Sequence, residues 1–124
     1  MDAARTVFLA LSDPLRLRCL ALMAAHGEVC VCEFVRALAV AQPKVSRHLA
    51  ALRDAGLVVA RREAQWLHYR IAPDLAGWRR DALTAAVEAA RADPAFETDL
   101  ARLRAVAGTG PGAAEQPQRP EKAP

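Results

Sequence analysis

The stretch that decides the fold runs from residue 42 to residue 49 and reads Gln-Pro-Lys-Val-Ser-Arg-His-Leu. Val45, Leu49 and Leu52 recur at the i, i+4 and i+7 spacing that lines one side of an α-helix with apolar groups. At about 100° per residue, Lys44 and Arg47 point away from that apolar side. The stretch therefore predicts a helix that packs on a core with one face and presents two cations on the other.

Capping residues mark the limits of the helices around this stretch. Asp13 and Asp93 are good N-caps and each precedes a proline, while Gly27 and Gly56 are of the type that ends helices. The sequence predicts helices near residues 2–11, 14–25, 31–39, 43–55, 74–92 and 94–106.

A different pattern follows residue 56. Residues 57–62 and 66–71 are rich in β-branched and aromatic side chains, and Glu63-Ala64-Gln65 joins them. Two such runs with a short polar connection predict a β-hairpin. Helix, short helix, helix and hairpin in this order predict a mainly α fold with a small β-hairpin wing, the α/β winged helix-turn-helix.

The positive charge of the chain is concentrated in this unit. The net charge is +3, yet residues 36–70 alone contain seven basic and two acidic side chains. A local excess of positive charge favours a polyanionic partner, although a basic surface that only faces solvent has the same composition. A helix with a polar end and two cations fits a DNA major groove, and a basic wing fits a minor groove or phosphates. The predicted contacts to double-stranded DNA are Gln42, Lys44, Ser46, Arg47, Arg61 and Arg62.

Length and composition restrict the class of protein. A chain of 124 residues with 5% aromatic side chains has the size of one domain and argues against a substantial enzyme. No apolar run approaches the roughly 20 residues that span a bilayer, and the first residues lack a signal-peptide pattern, so we expect a cytoplasmic protein with no membrane partner. Residues 1–106 are predicted to form the DNA-binding and dimerisation domain. Residues 107–124, which contain four of the eight prolines, are predicted to be a disordered tail.

An apolar stripe on the fifth predicted helix indicates a homodimer. Its side chains recur at spacings of three and four, and a domain this small rarely needs so long a stripe for its own core. Intrachain packing is the alternative. The proposed seam comprises Leu75, Trp78, Ala82, Leu83, Ala86, Val87 and Ala90, together with Val7, Phe8 and Leu11 of the first helix.

Two of the three cysteines lie in Glu28-Val29-Cys30-Val31-Cys32-Glu33, at the start of the third predicted helix. Thiolates are favoured at a helix N-terminus, so Cys30 and Cys32 form a candidate chelate for a soft metal or a metalloid. Buried core cysteines and a redox pair are the alternatives. Residues i and i+2 of a regular helix are about 200° apart, so sharing one small ion would require a distorted helix. Cys19, in an apolar helix, is predicted to be a core residue.

Five motifs together resemble the arsenic-responsive (ArsR/SmtB) family of bacterial repressors. They are residues 11–17 (Leu-Ser-Asp-Pro-Leu-Arg-Leu), 30–33 (Cys-Val-Cys-Glu), 42–49, 52–58 (Leu-Arg-Asp-Ala-Gly-Leu-Val) and 66–70 (Trp-Leu-His-Tyr-Arg). The resemblance implies a homodimeric repressor of a metalloid-resistance operon, without a permanent cofactor. In this family, arsenite or antimonite binding at the positions of Cys30 and Cys32 releases the protein from its operator.

One departure from the family pattern concerns the third arsenic ligand. Arsenite-type members often have a third cysteine three residues after the pair, where this chain has Val35. Capture by three sulfurs would then need Cys19 as third ligand, a cysteine of the partner chain or an external thiol. Methylarsenite, in which carbon fills one arsenic bond, needs only two thiolates. A thiol-redox-sensing repressor of the same fold is the alternative function.

Overall fold

The structure, a computed structural model, describes residues 1–108 of the chain. The predicted tail, apart from residues 107 and 108, lies outside the described residues. The elements are α1 (Asp2–Ala10), α2 (Pro14–His26), β1 (Val29–Cys30), α3 (Val31–Leu38), α4 (Gln42–Asp54), β2 (Val58–Glu63), β3 (Trp66–Ile71), α5 (Gly77–Arg91) and α6 (Ala95–Val106). No helix among the described residues has the length and apolar content to cross a membrane.

The predicted caps set the helix boundaries. The Asp13 carboxylate accepts hydrogen bonds from the backbone N–H groups of Leu15 (2.9 Å) and Arg16 (3.1 Å), so two donors at the start of α2 are satisfied. Asp93 accepts from the backbone N–H of Ala95 at 2.9 Å, but the N-cap of α6 is Pro94, one residue later than predicted. Gly27, with φ of 92°, ends α2 in a backbone conformation that side chains with a Cβ rarely adopt.

The start of the fifth helix was predicted too early. Residues 73 and 74 form a turn, and Ala76 is extended (φ −147°, ψ 163°), so α5 begins at Gly77 and not near residue 74. Pro73 therefore belongs to the connection that follows the hairpin. It does not occupy the first turn of a helix, as its residue type suggested.

In the described part of the chain the sheet has three strands, in the order β1-β3-β2, whereas only the β2–β3 hairpin was predicted. The additional strand β1 pairs antiparallel with β3, with Val29 opposite Tyr69 and Cys30 opposite His68. Two residues are too few to show a period in the sequence, so only the tertiary pairing defines this strand. The pairing places the first cysteine of the pair directly beside the hairpin.

The core lies between the helices and the buried side of the sheet. Val45, Leu49 and Leu52 of α4 are fully buried, as their spacing predicted, and Phe34 of α3 lies with them. Helices α3 and α4 are joined by a short turn in which Ala39 has φ of 57°. Helix α2 packs against α5 and α6, and α6 packs against α3. The arrangement confirms the predicted winged helix-turn-helix, with six helices among residues 1–108 and the β2–β3 hairpin as the wing.

Candidate thiol site and nucleic-acid interface

The two cysteines of the Cys-Val-Cys motif are brought together at the junction of β1 and α3. Cys30 is the last residue of β1 and the N-cap of α3, with an extended backbone (φ −76°, ψ 148°). Cys32 lies in the first turn of α3. The two Sγ atoms are 2.9 Å apart, Cys30 is buried, and Cys32 is half-buried. The pair can therefore contact one small electrophilic atom from the side on which Cys32 is exposed.

The expectation that the thiols could meet only in a distorted helix is wrong. It placed both cysteines inside α3, where their side chains would diverge. Cys30 instead precedes the helix, and its extended backbone turns the thiol toward that of Cys32. The helix need not unwind before the two sulfurs can act together.

Glu33 fixes the backbone of this site. Its carboxylate is buried, accepts a hydrogen bond from the backbone N–H of Cys30 at 2.9 Å, and accepts another from the backbone N–H of Gly108 at 2.6 Å. Cys30 and Glu33 thus form a reciprocal capping box, which also ties the end of α6 to the start of α3. Sequence reasoning missed this role, although an acid three residues after an N-cap is the usual signal of such a box.

The third cysteine does not join the pair. Cys19 is fully buried in α2, and burial raises the pKa of its thiol to about 12, so it remains protonated at neutral pH. Within residues 1–108, no three His, Cys, Asp or Glu side chains form a group suited to a metal ion. The surroundings of Cys19 agree with the predicted core position, and the described residues provide two thiols at the site.

Helix α4 presents its polar side to solvent. Gln42, Lys44 and Arg47 are exposed and Ser46 is half-buried, so the four predicted contacts of this helix lie in its first two turns. The buried apolar side of α4 fixes the orientation of these groups. A surface with two cations and two hydrogen-bonding side chains can reach base edges and phosphates.

A histidine on the other side of α4 connects this helix to the start of α2. Arg16 donates from Nη1 to Nδ1 of His48 at 3.0 Å, and the Asp13 carboxylate lies 3.7 Å from the same nitrogen. Burial lowers the pKa of His48, and the positive charges of Arg16, Arg47 and Lys44 lower it further against the opposing effect of Asp13. Nδ1 of the neutral ring can then accept the hydrogen bond that holds α4.

The two wing arginines differ in their surroundings. Arg62 and Arg61 are both exposed on β2. Arg61 nevertheless forms a forked ion pair with Glu28, Nε to Oε2 at 2.9 Å and Nη2 to Oε1 at 2.5 Å, and a third contact with Glu63 at 3.2 Å. The hydrogen bonds that the Arg61 guanidinium donates to Glu28 raise the pKa of Arg61. Sequence reasoning assigned the same role to both arginines and missed Glu28, which is distant in sequence from the wing.

Comparisons with known proteins find relatives that are similar to this chain over part of its length. The family profile described as "Bacterial regulatory protein, arsR family" matches residues 13–59. The arsenic resistance transcriptional regulators ArsR1 and ArsR2 of Pseudomonas putida are each 47% identical over 83 residues, 67% of this chain and 65% and 72% of their own lengths. The arsenical resistance operon repressor of Escherichia coli is 44% identical over 72 residues, 58% of this chain and 62% of its own length. The chain thus covers just under two thirds of the length of ArsR1 and of the E. coli repressor.

Two solved structures have the same architecture. HlyU from Vibrio cholerae superposes with a TM-score of 0.59 at 28% identity, covering 73% of this chain and 90% of HlyU. NolR from Sinorhizobium fredii superposes with a TM-score of 0.55 at 27% identity, covering 71% of this chain and 84% of NolR. The likeness extends over most of each solved chain.

Proposed function

Because the chain belongs to the arsR family of bacterial regulatory proteins, we propose that it represses a metalloid-resistance operon and leaves the operator when trivalent arsenic or antimony binds Cys30 and Cys32. The family is one of DNA-binding transcription regulators, so the chain is not an enzyme. Arsenite and antimonite are the first candidate inducers, and methylarsenite is the alternative inducer.

The observation that carries this proposal is the distance of 2.9 Å between the two sulfurs, next to the helix-turn-helix. Soft thiolates select soft, thiophilic elements. With methylarsenite, two arsenic–oxygen bonds break and two arsenic–sulfur bonds form, and the two thiol protons leave with the hydroxyls as water. No electron is transferred, and the reaction requires only the two thiols.

Repression would depend on helix α4 and the wing. The exposed N-terminal half of α4, with Lys44 and Arg47, enters a major groove of the DNA. Arg62 on the wing contacts the phosphate backbone beside that groove. In a symmetric dimer both surfaces occur twice, so they fit two half-sites of an operator. Gln42 and Ser46 complete the proposed DNA-contacting set on α4. Arg61, the other predicted wing contact, differs from Arg62 because Glu28 and Glu63 engage its guanidinium.

The homodimer is part of this proposal and is supported by three exposed apolar side chains. Phe8 and Leu9 of α1 are 56% and 49% exposed, and Trp78 of α5 is 41% exposed. The Phe8 and Trp78 rings stack, with centroids 6.2 Å apart, and join the two helices into one apolar surface. Most of the predicted seam packs inside the chain, so intrachain packing accounts for its spacing. The buried members are Val7, Leu11, Leu83 and Val87, and those partly buried against the same core are Leu75, Ala82, Ala86 and Ala90.

The test is a gel-shift titration with the DNA directly upstream of the protein's own gene. Arsenite and methylarsenite should each release the wild-type protein. The Cys30→Ser/Cys32→Ser double variant should bind the DNA with unchanged affinity and stay bound with both compounds. Cys19→Ser is the matched control and should release normally. Release of the double variant by both compounds would contradict the proposed inducer site.

The same proximity of the sulfurs favours one second candidate, a thiol-redox sensor. Oxidation by peroxide would join Sγ of Cys30 to Sγ of Cys32, with loss of two protons and two electrons to the peroxide. The titration separates the two functions when it is repeated with peroxide and without arsenical. Release by peroxide alone would support the redox function, whereas release by arsenical in the presence of a reductant supports metalloid sensing.

A further inference from the structure

One face of the sheet connects the thiol site to the wing. Cys30 of β1 is opposite His68 of β3, and His68 is opposite Arg61 of β2. Directly opposite residues of antiparallel strands project from the same face. These three side chains therefore form a row that starts at a thiol and ends at a wing arginine.

Two carboxylates lie beside this row. Glu63 follows Arg61 by two residues along β2, which is the spacing of side chains on one face of a strand, and Glu28 lies in the bend directly before β1. Both contact the Arg61 guanidinium, and Glu63 also lies 3.7 Å from Nε2 of His68. The thiol segment and the wing are thus joined by strand pairing and by the ion pair between Glu28 and Arg61.

The geometry of the Glu28–Arg61 contact indicates a positional role. Two parallel N–H···O bonds fix the mutual orientation of a guanidinium and a carboxylate, which a single contact does not. The Arg61 side chain is 45% exposed and that of Glu28 is 18% exposed. An ion pair this accessible to solvent contributes little to the stability of the fold. Its effect is to hold segment 28–30 at a fixed position relative to β2.

We propose that the Glu28–Arg61 ion pair couples the thiol site to the wing, so that Arg61 is a positioning residue for the wing and not primarily a phosphate contact. The inference rests on the proposed function, since it concerns how inducer at Cys30 and Cys32 weakens DNA binding. It revises the role of one of the two wing arginines and leaves Arg62 as the wing's DNA contact.

The physical reason is that an arsenic atom bonded to both sulfurs holds them farther apart than the present 2.9 Å. At least one cysteine has to move, and because the backbone of Cys30 is tied to Glu33 and to β3, a shift of Cys30 is passed on to the sheet and is not absorbed locally. Movement of Cys30 displaces Glu28 in the same short segment, and the forked contact carries the displacement to Arg61. An inducer weakens DNA binding only by favouring the state in which the wing is displaced.

The experiment measures the coupling as a ratio of two dissociation constants. Fluorescence anisotropy gives the Kd for operator DNA twice, once with saturating methylarsenite and once without it. The ratio of these two Kd values does not change when a substitution alters the affinity of both states equally. Typical couplings lie at about 5- to 150-fold, and we expect Glu28→Gln and Arg61→Gln each to reduce the wild-type ratio by about threefold or more. Melting temperatures close to the wild-type value would show that both variants fold.

Arg62→Gln is the matched control, because it removes the neighbouring exposed charge on the same strand. It should weaken DNA binding in both states and leave the ratio unchanged. The exchanged pair Glu28→Arg/Arg61→Glu should restore part of the ratio that each single variant loses. A purely electrostatic effect of either residue on DNA would not produce this rescue.

Two results would overturn the inference or its premise, and they are distinguishable. If Glu28→Gln and Arg61→Gln keep the wild-type ratio, as Arg62→Gln does, the ion pair does not couple the two sites. If the Cys30→Ser/Cys32→Ser variant is still released by methylarsenite, the proposed inducer site itself is wrong.

Discussion

At the scale of the residue, Val35 occupies the position from which a third sulfur could join the proposed inducer site at Cys30 and Cys32. Val35 is half-buried in α3, three residues after Cys32, and residues at this spacing share one side of a helix. We predict that Val35→Cys makes the protein respond to arsenite at a concentration at least about tenfold lower, corresponding to about 1.4 kcal/mol, because a third arsenic–sulfur bond replaces an external ligand. A gel-shift titration with arsenite measures the change.

Methylarsenite supplies the internal comparison for this variant. Its arsenic has only two positions for sulfur, so its response should be the same in Val35→Cys and in the wild type. Val35→Ser is the matched control, since it changes size and polarity in the same direction without adding a thiol. An equal gain with serine, or an unchanged arsenite response with cysteine, would show that residue 35 does not reach the bound arsenic.

At the scale of the element, the start of α2 depends on a single carboxylate. Partial burial raises the pKa of Asp13, but hydrogen bonds from the backbone of Arg16 and Leu15 and the nearby positive charges outweigh it, so the pKa lies below its ordinary value. The stabilisation is therefore complete above that ordinary value and is lost as the pH falls through the lower folded-state pKa. We predict that Asp13→Ala reduces the free energy of unfolding at pH 7 by about 1 kcal/mol.

Urea denaturation of wild type and variant at neutral and acidic pH tests this cap. The difference between them should shrink once the wild-type carboxylate is protonated. Asp74→Ala, at an exposed position in the turn before α5, removes the same charge and should have little effect at either pH. If both variants lose the same free energy of unfolding, the effect comes from the removed charge in general and not from the cap of α2.

Helix α4 is the second element with a direct prediction. Arg47 is exposed on the outer side, while the buried side fixes the helix. We predict that Arg47→Ala weakens operator binding by about 1–3 kcal/mol and relaxes the preference for operator over unrelated DNA. Arg102→Ala, an exposed arginine on α6, is the control and should retain both properties. A variant at residue 47 with wild-type affinity would exclude this side of α4 as the reading surface.

At the scale of the whole molecule, the sequence was informative where the pattern is local. The period of α4, the caps of α2 and the two runs of the hairpin each lie within one short segment, and each was predicted correctly. Strand β1, the Glu28–Arg61 ion pair and the contact of Glu33 with Gly108 join segments far apart in sequence. No local period encodes such contacts, so the site's connections became visible only in the folded chain.

The proposed homodimer is the last feature at this scale, and it is supported by the apolar surface of α1 and α5. Phe8 and Trp78 are stacked and exposed, which is costly in water unless a second copy covers them. We predict that Phe8→Glu shifts the protein from dimer to monomer in sedimentation velocity at micromolar concentration, because a charge would be buried in the seam. Thr98→Glu, at an exposed position on α6, should remain dimeric.

Since a monomer places one helix α4 and one wing on DNA, the salt dependence of binding by Phe8→Glu should fall to about half its wild-type slope. A dimeric Phe8→Glu protein with the full slope would place the seam on another surface.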